Sequence, residues 1–425
     1  MLILIFVCIV ACPQNHSQSE TAQINPDKNH LDIRLSGTPV VKVLSEANNH
    51  WLMTETIVTN REEFERSLRY VRAHEKILVV DHALKIGEYL ADIALGPQPE
   101  QLWLAIISQS ETQNFILRLI DSKEVIWETR ITRPINEKDQ SNSLNSFFRH
   151  LEDVIRIVSE DNAVYIAARN KVGRPFFAAI KDRKIIQDPV IIGPASKGFF
   201  VGRISGVYSV MDQLTVPFKM FIASCNTKIV LSWLAYPWEV NDNLSFYSRT
   251  EEVVEHQVAV LEIDKVFPIN LSSTKAQVYG AKSSLLQSMS CEADHLVISG
   301  SARIKEQRAS APFLIQNKKI SFFRTEFEKS ASAQAIQIVN GTVIMGGSTQ
   351  WNQNPSGLSI DGGLGFIKID DKIEIFGEAR TELRSISYSA GQLCYAGIIA
   401  GPTTHSHDHD PNSITGDGFL KCRLF

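Results

Sequence analysis

The chain has 425 residues, of which 44% are apolar, 21% charged and 8% aromatic. That composition supplies a large core and excludes a disordered chain. The formal net charge of -4, with no basic stripe, excludes an ordinary nucleic-acid binder. Length leaves the domain count open, because repeat and all-β folds of this size form single bodies.

The chain opens on its one long apolar run, LILIFVCIVAC over residues 2–12, and turns polar at Pro13. The run is too short to cross a ~30 Å hydrocarbon layer as a helix and has the length of a secretory signal's apolar stretch. Its end, Ile9-Val10-Ala11-Cys12, resembles a bacterial lipobox, with an aliphatic residue at the third position before the cysteine and then two small or β-branched residues. The resemblance implies a signal peptide over 1–11, cut before Cys12, and a lipid on the Cys12 thiol that anchors the protein in the bacterial cell envelope, at the outer membrane. No Lys or Arg stands near Met1, where such signals carry one, unless the natural start lies upstream. A buried N-terminal strand with an incidental cysteine is the alternative. Residues 14–29 (QNHSQSETAQINPDKN) have the composition of a flexible tether. The expected plan is therefore signal 1–11, lipid-anchored tether 12–29 and one domain over 30–425.

From residue 30 onward the chain reads as a succession of short strands, beginning with a lone one, HLDIRLS (30–36). One frame then recurs: VVKVLSEANNHWLMTET (40–56), ADIALGPQPEQLWLAII (91–107), VIRIVSEDNAVYIAA (154–168), LLQSMSCEADHLVISG (285–300), AIQIVNGTVIMGG (335–347) and SISYSAGQLCYAG (385–397). Each gives an alternating strand, a tight turn, and an apolar strand ending on small residues. A third strand opening on an aromatic follows at Phe115, Phe176, Phe313, Phe366 and Phe419. A fourth comes after a short polar turn, as in VIWETRI (125–131), KISFF (319–323) and IEIF (373–376).

Four antiparallel strands recurring about every 45 residues are what a propeller blade needs. The expected fold is all-β, a seven-bladed β-propeller of four-stranded antiparallel blades at 40–83, 88–132, 152–192, 199–268, 283–327, 332–379 and 383–425. The last blade ends after a third strand, and 30–36 is the candidate fourth, closing the ring and covering its exposed edges. Gly300, Gly346, Gly347 and Gly397 read as close-packing positions. Two blades depart from the frame. In the first, NREEFERSLRYVRAH (60–74) places acidic residues after an Asn, and Phe64, Leu68 and Val71 at helical spacing, predicting a helix in place of the third strand. The fourth is stretched, so eight blades are the alternative.

Gly346-Gly347-Ser348-Thr349 with Gly365-Phe366-Ile367-Lys368, and Ala396-Gly397 with Asp417-Gly418-Phe419-Leu420-Lys421, resemble bacterial propeller-repeat families in which Gly-Gly-Ser/Thr precedes a loop and then Asp-Gly-Phe-Leu-x-Lys. The match covers roughly the last 140 residues and implies a fold and an extracytoplasmic setting, without an activity. IDSKEVIW (120–127) more weakly resembles the Asp-x-x-x-Gly-x-x-x-Trp docking pattern of quinoprotein-type propellers, lacking its Gly. The outer-membrane-protein assembly lipoprotein is built of such repeats. Of six cysteines, Cys8 falls in the signal and Cys12 in the anchor. Cys394 and Cys422, on strands read as paired, fit a disulfide in an oxidising compartment, with isolated buried thiols as the alternative.

In a propeller, the loops between strands two and three share a face with those between blades. The long segments 226–255, 350–363 and 401–416, read between strands two and three, and 133–147 and 270–282, read between blades, are all expected there. That face is the expected binding face. Tyr236, Trp238, Phe246, Tyr247 and Trp351 are its expected anchors for a protein or glycan partner, with local packing over the blade ends as the alternative. His405, His407, Asp408, His409 and Asp410 alternate ligand types that suit a divalent metal such as Zn²⁺, Ni²⁺ or Cu²⁺. Asp408, Asp410 and Asn412 also follow calcium-loop spacing, although Ser413 replaces the turn glycine. A solvated polar loop is the third reading.

No P-loop, His-Glu-x-x-His, Gly-x-Ser-x-Gly or paired Cys-x-x-Cys occurs, so no catalytic residue is assigned. The expected function is a monomeric, non-enzymatic binding or scaffold module of the cell envelope, with no cofactor beyond that metal. A propeller enzyme, hydrolytic or quinone-dependent, and an outer-membrane assembly factor are the alternatives.

Overall fold

The hairpin turns set the architecture. At Asp161-Asn162 (φ 47° and 61°), Asp182-Arg183 (48° and 64°), Asn340-Gly341 (51° and 79°) and Ala390-Gly391 (51° and 79°) both turn residues have positive φ. That backbone matches the twist of the strands it joins, so each short apolar run folds back on the one before it. A computed structural model describes residues 23–27, 30–58, 63–72, 76–108, 114–134, 155–169, 175–192, 200–204, 207–211, 220–235, 257–269, 276–279, 284–304, 309–317, 319–323, 331–349, 363–377, 381–399 and 416–425.

These strands form a seven-bladed β-propeller. Blade one holds Val40–Glu46, Asn49–Val58, Glu63–Arg72 and Lys76–Val79. Blade two holds Glu88–Leu95, Leu102–Ser108, Asn114–Ile120 and Val125–Thr132, and blade three Ile155–Glu160, Ala163–Arg169, Pro175–Lys181 and Lys184–Ile191. Blade four holds Met220–Ser224, Lys228–Ala235, Gln257–Asp264 and Gln277–Tyr279, and blade five Ser284–Glu292, His295–Ile304, Ala309–Gln316 and Lys319–Phe322. Blade six holds Ala331–Val339, Thr342–Thr349, Gly365–Ile369 and Lys372–Phe376. Blade seven takes Thr381–Ser389, Gln392–Ile399 and Asp417–Leu424 from the end of the chain and His30–Leu35 from its beginning. His30–Leu35 pairs antiparallel with Asp417–Leu424, from His30 opposite Arg423 to Leu35 opposite Gly418. The expected closing strand is thus in place, and the first strands of successive blades touch in an unbroken circle.

Apolar residues on both faces of each blade fill the slots between blades. Trp51 and Tyr70 of blade one pack with Leu90 and Ile93 of blade two, and Phe115 of blade two meets Phe176 of blade three at 6.3 Å between ring centroids. At the closing junction Val43, Leu52 and Val71 of blade one pack against Cys394, Leu420 and Cys422 of blade seven.

A second set of contacts joins the first strands directly. The N–H groups of Val43 and Ser45 donate to Ser385 Oγ and Ser387 Oγ (3.1 and 2.9 Å), and that of Ala47 donates to Ser389 Oγ at 3.0 Å. Between blades five and six, Ile336 and Ile338 donate to Ser288 Oγ and Ser290 Oγ (3.3 and 3.1 Å), and Asn340 and Gly341 to the Glu292 carboxylate (2.9 and 2.7 Å). Between blades two and three, Ile157 donates to Asp92 Oδ2 at 2.9 Å. Lys42 of blade one in turn holds Asp92 Oδ1 and Ile93 O, both at 2.7 Å.

Register explains the regularity. A shift interrupts the first strand of five blades at a common place, between Val40/Lys42, Leu90/Asp92, Leu286/Ser288, Ala333/Ala335 and Leu383/Ser385. A bulge of this kind re-aims the side chains beyond it. Opposite two of these bulges stand Gly347 and Gly397, where an added Cβ would fall 1.8 Å from Ser332 O and 1.9 Å from Glu382 O. Both therefore are close-packing positions, as read from the sequence.

Several expectations are corrected. The helix at 60–74 is absent, because Glu63–Arg72 is the third strand of blade one, paired with Asn49–Val58. Leu68 and Tyr70 face blade two while Val71 faces blade seven. A slot apolar on both sides favours a strand over a one-striped helix, and tertiary packing overrides local spacing. The stretch that opened the expected fourth blade at 199 is a separate hairpin, Phe200–Ile204 with Val207–Met211. Its alternating VYSVM mimics a first strand, and the blade itself begins at Met220, leaving seven blades. Within the expected tether 12–29, Gln23–Asp27 adds a fifth strand to blade seven, pairing the otherwise open edge of His30–Leu35.

Cys394 and Cys422, directly opposite on neighbouring strands, are bonded. A disulfide not foreseen, Cys225–Cys291, ties blade four to the first strand of blade five.

The Ser387→Ala variant leaves the buried Ser45 N–H without its acceptor. Chemical denaturation is expected to show a loss of about 1–3 kcal/mol, and a smaller loss for Ser389→Ala at the exposed end of the same row.

Candidate functional site

Antiparallel pairing fixes where each connection emerges. Turns from strand one to two and from three to four lie on one face, and the two-to-three and blade-to-blade connections begin and end on the other. Segments 350–362 and 400–415 join strands two and three of blades six and seven, and 135–154 joins blade two to blade three, as expected. Two expectations need correction. Of segment 226–255, residues up to Ala235 are a turn and the second strand of blade four, Lys228–Ala235, and the two-to-three connection is 236–256. Segment 270–282 contains the outer strand Gln277–Tyr279, so most of it joins strands three and four on the opposite face. The expected connection takes in the apolar run KIVLSWLA that precedes it, and QVY is too short to stand out as a strand.

Cys12, the aromatics Tyr236, Trp238, Phe246, Tyr247 and Trp351, and the cluster His405, His407, Asp408, His409 and Asp410 lie outside the described residues. The described part of the elaborated face carries charged groups that the sequence reading did not single out.

Four of them form a chain across the closing junction. Glu382 Oε1 lies 3.3 Å from Arg384 Nε, Arg384 Nη1 lies 3.6 Å from Glu55 Oε2, and Glu55 Oε1 lies 3.6 Å from Arg66 Nε. Arg66 Nη1 continues into blade two, donating to Leu90 O and Ala91 O at 3.3 and 3.2 Å, at the bulge of that blade's first strand. Carboxylates and guanidiniums are balanced here. Such a chain fixes the rim of three blades relative to one another and leaves no excess charge to do chemistry.

Two further arginines of blade two, both buried, contrast sharply. Arg118 donates from Nη1 and Nη2 to Glu88, both at 2.8 Å, from Nε to Glu128 at 2.7 Å, and to Ala83 O. Burial pulls its guanidinium down, but the hydrogen bonds and charges of Glu88 and Glu128 outweigh that and leave it above its ordinary value. Arg133, just beyond the outer strand of blade two where the chain enters 135–154, is 2% exposed. Among the described residues, its Nε, Nη1 and Nη2 have no hydrogen-bond partner. Burial alone pushes it down to about 10. Because that value stays above neutrality, the group remains charged, and the cost of burying it is present throughout the neutral range. Arg169, at the end of the second strand of blade three, is buried on the same face. Ile131 and Ala168, close by in sequence, share one apolar cluster between blades two and three. A buried guanidinium with open donors suits a carboxylate or another anionic group, which it can meet through two parallel N–H bonds. No sequence signal marked Arg133, since a single arginine after a strand is ordinarily a solvated end.

No protein-family model and no curated protein matches the chain. Solved structures do. The β-propeller domain of the trilobed protease from Pyrococcus furiosus is similar at 7% identity over 85% of this chain and 90% of that one, with a TM-score of 0.46. Puromycin hydrolase is similar at 11% identity over 86% of this chain and 50% of that one, with a TM-score of 0.46. The WD40 β-propeller domain of Doa1 is similar at 8% identity over 94% and 97% of the two chains, with a TM-score of 0.43. The chain spans half the length of the hydrolase and nearly all of the two propeller domains. At such identities the likeness concerns the fold, and no residue role passes from these proteins to this one.

The Arg133→Met variant keeps the apolar stem and removes the unpaired charge. It is expected to be more stable than the parent by at least about 1 kcal/mol in urea unfolding at neutral pH.

Proposed function

We propose that the protein is a non-enzymatic binding or scaffold module of the bacterial cell envelope, which engages a protein or glycan through the face where its long connections emerge. The observation that carries this reading is the one-sidedness of the ring. Three long connections, 236–256, 350–362 and 400–415, arise from the same face of adjacent strands two and three in blades four, six and seven. The opposite face is closed largely by tight hairpins such as 161–162, 182–183, 340–341 and 390–391. Rigid scaffolds with variable loops on one side are built for recognition. Tyr236, Trp238, Phe246, Tyr247 and Trp351 belong to those connections and are the proposed anchors.

The envelope setting is supported by the lipobox-like end of the apolar run at Cys12 and by the two disulfides, a pairing that persists in oxidising compartments. In cells, Cys12→Ala is expected to abolish incorporation of labelled palmitate and to release the protein from the membrane fraction. Retention of label in that variant would place the lipid elsewhere. Deletion of 236–250 is expected to abolish capture of envelope proteins or glycans on an immobilised chain without lowering the melting temperature. Unchanged capture would remove this connection from the binding face.

A further inference from the structure

The closing junction holds a cluster whose chemistry goes beyond packing the ring shut. Cys394 and Cys422 face each other across the second and third strands of blade seven, and His50 comes from the second strand of blade one. His50 Nδ1 lies 3.7 Å from Cys394 Sγ, and Nε2 lies 3.8 Å from Cys422 Sγ. All three residues are buried, and one donor atom from each lies within 4.8 Å of the others. The surroundings are aliphatic, with Val43, Leu52, Ala396 and Leu420 in the same cluster.

We propose that His50, Cys394 and Cys422 form a redox-gated site for a thiophilic cation such as Zn²⁺: closed while the disulfide stands, and a cysteine–cysteine–histidine centre once it is reduced. Tetrahedral zinc, with Zn–S near 2.3 Å and Zn–N near 2.0–2.1 Å, sets its ligand atoms about 3.5–3.8 Å apart. The Nε2–Cys422 separation already has that spacing, with one ligand atom from each residue within 4.8 Å of the others, and the sulfurs have to part. In the tautomer that donates Nδ1–H to Ser45 Oγ, 3.0 Å away, the ring's lone pair is on Nε2, the nitrogen nearer Cys422. Metal-bound imidazoles are oriented in this way by a partner on their other nitrogen. Gln392 Oε1, 3.9 Å from Cys394 Sγ, is a candidate fourth donor.

The chemistry balances with a dithiol as reductant. Its two sulfurs supply two electrons and two protons and close into a disulfide, while the Cys394–Cys422 bond opens to two thiols. Binding of the cation then releases both thiol protons, and His50 enters neutral. The site thus gives blades one and seven a metal crosslink in the state in which the disulfide is absent.

The test uses the full chain, reduced with a dithiol, desalted under argon and titrated with Co²⁺ and then Zn²⁺. Expected is a thiolate-to-cobalt charge-transfer band that the oxidised chain lacks, that Zn²⁺ displaces, and that survives in the Cys225→Ser/Cys291→Ser variant. His50→Ala is expected to weaken binding at least about tenfold, and Cys394→Ser/Cys422→Ser to abolish the band. X-ray absorption on the zinc-loaded parent needs no variant to fold and is expected to show two sulfur neighbours and an imidazole. Absence of the band from the reduced chain, its full retention in Cys394→Ser/Cys422→Ser, or a zinc spectrum without sulfur would overturn the proposal.

Discussion

The innermost strand of every blade has one edge that its own sheet leaves open, and the backbone donors along that edge must be satisfied for the ring to be stable. This chain meets the demand from the neighbouring blade. Ser385, Ser387 and Ser389 accept from Val43, Ser45 and Ala47, while Ser288, Ser290 and Glu292 repeat the arrangement two junctions away. Side chains of one strand thus replace the missing strand of the next. The spacing works because the bulge before each row turns alternate side chains towards the following blade, and in blade seven Gly397 leaves room for it. Hydrogen bonds of this sort are individually modest, yet they fix the angle between sheets that apolar packing alone would leave free to slide.

Much of this was legible in the sequence. The repeated frame, the paired glycines and the closing role of residues 30–36 follow from periodicity, and strand pairs in the structure obey them. The acceptor role of the alternating serines in SISYS and LQSMS was not legible, because it depends on a neighbouring blade that no local window contains. The same reason hid Cys225–Cys291, whose members stand 66 residues apart in different blades. Helical spacing at Phe64, Leu68 and Val71 misled because the slot between blades one and two rewards apolar residues on both faces.

The candidate site was legible only in outline. Connection lengths pointed to one face, and the pairing of strands assigns the 350–362 and 400–415 connections to it. What sequence could not supply is the electrostatic character of the rim. Glu55, Arg66, Glu382 and Arg384 are far apart in the chain and meet only where the ring closes. Arg118 and Arg133 are fifteen positions apart on one blade, yet among the described residues one is fully paired and the other is not. Burial gives the first a structural role and leaves the second with donors to offer. A ring held rigid from within, with its long connections on one side, is the physical basis of the binding role proposed for it.

Residue-resolved amide hydrogen exchange tests the central claim, that the first strands are locked by side chains of the preceding blade. The amides of Val43, Ser45, Ile157, Ile336 and Ile338 have no partner in their own sheet on that edge, and the account predicts that they exchange as slowly as the central strands of their blades. Exchange of these amides at the rate of exposed edge groups, while the central strands stay protected, would contradict it.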